Sequence, residues 1–237
     1  MRSDTSPQIG FDRYIQLDWA RSALRVRAGL ETLEELTALI DESHTGTAAK
    51  KKTRTVLNRL WLEPRSDIND MCDRAVAIYK SDPSTSVAAL TWGMAIATYP
   101  FFGAVAEIVG RLLRLQGECS SAEVHRRMAE IYGEREGTRR MTNMVLQSQA
   151  SWGAIERCRQ GKEIQRSAVI TVGAELGTWL VEAALRYAGR AIPISSFTSY
   201  PLLYPFEFDE HLGYNIAQNK NLVIKTDGAG DRLVALS

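Results

Sequence analysis

Arg139, Asn143 and Gln147 are spaced four residues apart. On a helix that spacing keeps them near one side. Arginine, asparagine and glutamine are the side chains that make paired hydrogen bonds to guanine and adenine edges in a DNA major groove. Arg140 borders the same face. A basic series follows, Arg157, Arg159, Lys162 and Arg166, around a Gln160-Gly161 pair. Such a series suits a hairpin lying on phosphates. A sharper cluster, Lys50, Lys51, Lys52 and Arg54, opens a predicted helix further upstream. Cations at a helix N-terminus oppose the macrodipole. Something other than helix stability should therefore account for them: phosphate contact, or a solvated and frayed loop. The densest acidic group, Glu207, Asp209 and Glu210 with His211, suits a divalent metal and hydrolysis.

The elements that must position the first set are legible around them. Ser120 and Glu123 form an S-x-x-E capping box, so a helix should start there. Val124, Met128 and Ile131 give it one apolar stripe, and Gly133 should end it. Residues 134–137 form a turn. Thr138 is the expected N-cap of a second helix that runs to about Trp152 and stops at Gly153. At 100° per residue Met141, Val145, Ser148 and Trp152 share a side, with Met144 on its flank. Arg139, Asn143 and Ala150 share the opposite side, with Arg140 and Gln147 at its edges. Leu146 opposes this scheme, because it falls on the face meant for the groove. Two helices, a tight turn and a basic hairpin are the signature of a winged helix-turn-helix. A helical hairpin with solvated charges is the simpler alternative.

The rest of the chain reads as scaffold. Residues 1–10 carry no order signal. Residues 14–29 predict a helix, Thr32 with Glu35 a second capping box before Leu33, Leu36, Leu39 and Ile40, and residues 48–62 a helix closed before Pro64. Ile68, Met71, Ala75 and Ile78 stripe a helix over 67–80. Asp82-Pro83 reads as N-cap and first helical residue of the next. That helix buries Val87, Leu90, Met94 and Trp92 to about Thr98, and Pro100 restarts a helix that ends at Gly117. These two should be the hydrophobic floor for the motif. Residues 168–172 read as the return strand of the wing. A helix spans 175–188, an extended aromatic connector 191–206, a short helix 208–218, and two strands flank Asp227-Gly228-Ala229-Gly230. The expected segments are 11–80, 82–190 and 191–237.

Composition narrows the function classes. The 237 residues are 45% hydrophobic and 24% charged, with a net charge of +1. That is ordinary for a folded chain, and any nucleic-acid surface must be local. Cys72, Cys119 and Cys158 are odd in number and widely separated, which fits a reducing cytoplasm. No signal peptide is visible. Residues 83–106 carry no charge and are long enough to span a bilayer, but Pro100 and several Ser and Thr residues favour two buried helices and no membrane role. The phosphate-loop and dinucleotide glycine motifs are missing. His44, His125 and His211 are isolated from cysteines at zinc spacing. His125, beside Arg126, is expected to be exposed. The sequence thus points away from an enzyme and implies no cofactor.

The run from Leu90 to Ile155 resembles the BrxA family of bacterial BREX phage-exclusion systems. The likeness is carried by Trp92, Tyr99-Pro100-Phe101-Phe102, Gly110-Arg111-Leu112, Tyr132-Gly133-Glu134-Arg135 and Trp152-Gly153. It covers the middle third, with weaker likeness in RTVLNRLW and the C-terminal hairpin. The resemblance implies a mostly helical protein with a NusB-like core that binds double-stranded DNA without known catalysis. It also implies a methyltransferase, ATPases and other BREX proteins as partners. The expectation is a mainly α bundle with winged helix-turn-helix elements and a small C-terminal β-hairpin, acting as a non-catalytic DNA-binding component of phage defence. An RNA-binding or protein-bridging NusB-like factor is the alternative, and a metal hydrolase at 207–211 a third reading.

Overall fold

The computed structural model describes residues 10–43, 46–226, 228 and 230–237. Residues 1–9, His44, Thr45, Asp227 and Ala229 lie outside it, and with them the expectations for the N-terminus and parts of two loops. The fold is mainly helical, with small sheets and a C-terminal antiparallel hairpin, as expected.

Helices α1 (Leu17–Arg27), α2 (Leu33–Ser43) and α3 (Thr47–Leu57) form the first layer, and a wide π turn over Asn58–Leu62 prolongs α3. The Thr32–Glu35 box is reciprocal: the Glu35 amide donates to the Thr32 hydroxyl, and the Thr32 amide donates to the Glu35 carboxylate. Helix α1 starts later than the periodicity predicts. The Ile15 and Leu17 amides instead donate to the Ser148 and Ser151 hydroxyls, and the Trp152 indole donates to the Ile15 carbonyl. A tertiary strap therefore takes the Ile15 carbonyl that a longer helix would use as an acceptor, and supplies acceptors to amides that a first turn leaves unpaired.

Helix α4 (Asn69–Ser81) buries Met71, Ala75 and Ile78, with Ile68 just ahead of it. The expected restart at Asp82-Pro83 does not occur. The Asp82 carboxylate accepts from the Ser84 amide and hydroxyl, a local turn that competes with helix capping. These bonds hold its pKa below the ordinary value. Helix α5 (Val87–Thr98) begins later, where the Ser86 hydroxyl accepts from the Ala89 amide. Every residue of α5 is buried. Helix α6 (Pro100–Gln116) leaves it at 118°, with Pro100 at its first turn. Among the described residues no single helix is long and apolar enough to cross a membrane.

After α6 come β1 (Glu118–Ser120), α7 (Ser121–Tyr132), α8 (Glu136–Ser151), β2 (Ile155–Cys158) and β3 (Glu163–Arg166). The strand β4 (Ile170–Val172) is not the return strand of the hairpin. It pairs in parallel with β6 (Phe206–Phe208), and β3 returns the hairpin instead. Helix α9 (Ala174–Ala188) lies against α5, so closely that a Cβ on Gly93 would meet the Trp179 ring at 2.1 Å. The strand β5 (Ile192–Pro193) and two 3-10 turns replace the extended connector. Helix α10 (Leu212–Gln218) leads to the hairpin β7 (Leu222–Thr226) and β8 (Arg232–Leu236), which β5 joins in the order β5-β8-β7.

One apolar cluster runs from Phe11 to Val234 and draws on all three expected segments. Its hub is Trp92, whose ring meets Phe102, Trp152, Tyr204 and Phe206 at centroid distances of 5.2 to 6.3 Å. Its indole nitrogen donates to the Leu202 carbonyl at 3.1 Å. The hub joins α5, α6 and the end of α8, so the floor expected beneath the motif is present. A charged knot joins α4 and α9. Glu182 on α9 is 2% exposed and accepts from Arg74 and Arg186.

Candidate nucleic-acid interface

Helix α7 starts where the sequence places it, with the Ser120 hydroxyl accepting from the Glu123 amide at 3.0 Å. Val124 and Met128 are buried, but Ile131 is 54% exposed and Tyr132 takes its place in the core. The Tyr132 ring packs on Phe101 at 4.8 Å, and an aromatic fills that site better than a branched aliphatic one position earlier. Gly133, at φ 85°, ends the helix. Helix α8 begins at Glu136, earlier than expected. Thr138 is buried inside its first turn, and its carbonyl accepts from the Thr142 hydroxyl.

The buried side of α8 holds Met141, Val145, Ser148 and Trp152, as the periodicity predicts, and also Leu146, which is wholly buried. Leu146 therefore does not obstruct the polar face; that face lies further round. Arg139 and Arg140 are exposed, and Asn143, Met144 and Gln147 are half-buried. The strap at residues 15–17 bonds to Ser148, Ser151 and Trp152 at the C-terminal end of α8, so its fully exposed cations, Arg139 and Arg140, lie in the N-terminal half and Gln147 is half-buried between.

Strand β3 is central in a small sheet, paired antiparallel with β2 on one side and β1 on the other. The short strand β1 has no sequence signature of its own. Between β2 and β3 the backbone takes positive φ at Arg159, Gln160 and Gly161, a run that only glycine adopts freely. The tip is pinned rather than free. The Ser121 amide donates to the Lys162 carbonyl at 2.9 Å, and the Ser121 hydroxyl donates to the Gly161 carbonyl. The Arg157 guanidinium donates to the Gly161 carbonyl at 3.1 Å and to Asn143 Oδ1 at 3.0 Å. Arg157 thus ties the hairpin to α8.

The basic residues now separate. Arg139, Arg140, Arg157 and Lys162 have no ion pair with a carboxylate among the described residues, and they lie on α8 and the hairpin. Arg159 is exposed but paired with Glu163. Arg166 donates to the Tyr204 carbonyl. The upstream cluster is largely neutralised inside the chain. Lys50 and Arg54 both pair with Asp41 on α2, and Lys52 pairs with Asp12. Lys51 alone of the four is left without such a pair among the described residues. These carboxylates account for cations at the start of α3, so phosphate is not needed to explain them.

His125 is not exposed. It is half-buried on α7, its Nε2 has no hydrogen-bond partner, and its pKa is lowered by burial and then by Arg139 and Arg157. Burial also lowers the pKa of Arg157. Helical spacing carries no sign of this grouping, because Arg157 lies on another element. A cleft of about 1040 Å³ runs between α7, the start of α8 and the hairpin tip. Five cations and three carboxylates line it. Elsewhere, Glu210 pairs with His211 and Asp209 accepts from the His211 amide. No group of three metal-ligating side chains is assembled among the described residues. The geometry at α7, α8 and the hairpin suits binding of oxyanions, with base-reading groups beside it.

No family model, curated protein or solved structure matches this chain. The functional reading therefore rests on the chain's own residues and on the resemblance noted from its sequence.

Proposed function

We propose that this chain is a non-catalytic protein that binds double-stranded DNA, with the start of α8 in the major groove and the β2–β3 tip on the adjacent backbone. The observation that carries the reading is the set Arg139, Arg140, Arg157 and Lys162, which lack carboxylate partners among the described residues while Asn143 and Gln147 stand beside them. Its support in topology is the order β1, α7, α8, β2, β3 after α6, which is the order of elements in a winged helix. The resemblance to the BrxA family extends the proposal to a BREX-type phage-exclusion system, with a methyltransferase and ATPases as protein partners.

In this reading Asn143 and Gln147 face base edges, and Arg139, Arg140, Arg157 and Lys162 hold phosphates. The overall charge of +1 supplies no long-range field, so affinity comes from these few contacts. Four phosphate contacts give a log–log salt slope of about −4, or about two orders of magnitude in affinity between about 50 and 200 mM salt. Fluorescence anisotropy on duplex DNA, duplex RNA and single strands tests this. The triple variant Arg139→Ala, Arg140→Ala, Lys162→Ala should weaken every duplex DNA alike and flatten the slope by about three. Unchanged binding by the triple variant would overturn the proposal. Preferential capture of RNA would favour the RNA-binding alternative instead.

A further inference from the structure

We infer that the cleft between α7, the start of α8 and the hairpin tip is a receiving site for a single phosphoryl group, gripped by His125, Arg139 and Arg157. The inference rests on the duplex-binding reading for the origin of that group. It goes beyond that reading by naming a cleft and a residue, His125, that a basic surface alone does not require.

Two nitrogens in the cleft walls have unmet hydrogen-bonding capacity. His125 Nε2 and Arg157 Nε are both buried without a partner. They come from different elements, α7 and β2, yet both side chains line one cleft. Buried nitrogens without an acceptor are rare in folded chains. Here the surroundings make a protein acceptor hard to supply. Burial, and then the Arg139 and Arg157 guanidinium groups that line the same cleft, oppose protonation of His125. An anion in the cleft would offset both guanidinium charges, and it would meet the two buried nitrogens once the His125 and Arg157 side chains turn toward it.

The acidic groups around the cleft do not already fill that role. Glu130 is held by Arg126, one turn along α7. Glu136 sits in the first turn of α8, where the helix dipole favours a carboxylate, and Glu134, the third, lies exposed in the turn between α7 and α8. Lys162 at the tip adds a further exposed cation on the far wall. At about 1040 Å³ the cleft also exceeds what a lone phosphate needs, and its size suits a nucleotide or a segment of backbone. A free nucleotide and a DNA phosphodiester share the recognising chemistry and differ only in source.

The imidazole itself reports occupancy, and the chain has three histidines. Histidine ring resonances of the full chain would be followed by NMR, with His125→Gln assigning its signal. The probes are sodium phosphate, deoxyadenosine monophosphate and a short DNA duplex, each against sodium chloride at equal ionic strength. The expected result is a saturable shift of the His125 signal with the mononucleotide, the duplex or both. Arg139→Ala, whose side chain is exposed, should raise the midpoint by about tenfold. A shift with the duplex alone assigns the phosphoryl group to the DNA backbone. A shift with the mononucleotide, from a protein that fails to bind duplex, sinks the DNA reading and leaves the cleft standing. If none of the probes moves the signal beyond the chloride control, or if Arg139→Ala and Arg157→Met both leave the midpoint where it was, the inference is wrong.

Discussion

Replacing Arg157 with methionine should separate a structural brace from a ligand contact, because the two roles predict opposite magnitudes. The guanidinium makes hydrogen bonds to Asn143 Oδ1 and to the Gly161 carbonyl. Bonds from a charged donor are worth about 1.5–3 kcal/mol each. Three features of the site reduce that loss. The Gly161 carbonyl keeps the Ser121 hydroxyl as a donor. Asn143 is only half-buried, so water can replace the lost bond. The buried Nε, which lacks a partner, disappears with the substitution, and relieving such a group returns about 1–3 kcal/mol. Methionine also preserves most of the packed aliphatic stem. The net cost should be about 1 kcal/mol, or about 2–4 °C in Tm for a chain of this length. Duplex affinity should instead fall by about tenfold or more, with the salt slope reduced by about one. Thermal unfolding by circular dichroism and anisotropy at permissive temperature measure both on one preparation. A Tm loss above about 10 °C with undiminished affinity would refute the assignment and leave Arg157 as a brace alone.

Other consequences concern the scaffold. Glu182→Ala should cost about 3 kcal/mol in urea unfolding, near the low end for breaking a buried ion pair, because Arg74 and Arg186 stay 30% and 23% exposed. A loss below about 1 kcal/mol would mean that the knot is already solvated. Gly110→Ala should destabilise by about 2 kcal/mol despite a helix-propensity gain of about 1, since its Cβ would lie 2.0 Å from the Pro201 carbonyl oxygen; a stabilised variant would contradict the packing of α6 on residues 201–204. Burial pushes the Cys72 thiol up to about 12 and Cys119 up to about 11, against 9.0 for the free group. Above pH 9 the unfolded chain loses these protons and the folded chain keeps them, so stability should fall as pH rises. Each thiol contributes about 1.4 kcal/mol per pH unit, and Cys72→Ala should remove its share from a denaturant series above that pH.

Much of the scaffold was legible because its signals are local. The Thr32–Glu35 and Ser120–Glu123 patterns cap helices as read, and the unbroken apolar run around Pro100 became two buried helices. Departures arise where another group claims the one a helix needs. The Ile15 carbonyl goes to Trp152, far along the chain, and the Asp82 carboxylate to Ser84, two residues on. The site divides in the same way. Arg139 and Arg140 were legible from helical spacing as outward-facing cations. The Asp41 and Asp12 partners of the upstream lysines were not, because pairing between elements leaves no trace in spacing. The expected exposure of His125 fails for the same reason: it is half-buried, and the charges that act on it come from α8 and β2. Leu146 was misjudged because α8 packs on several neighbours, and its buried arc is wider than a single stripe.

The clasp between residues 15–17 and the end of α8 bears on how any nucleic acid would be met. Trp152 belongs both to that clasp and to the aromatic hub, so tilting α8 means disturbing Trp92 and Phe102 as well. The probe is welded to its mount. A duplex seated there must do the yielding, and sites that bend or widen easily would be favoured at base pairs that no side chain touches.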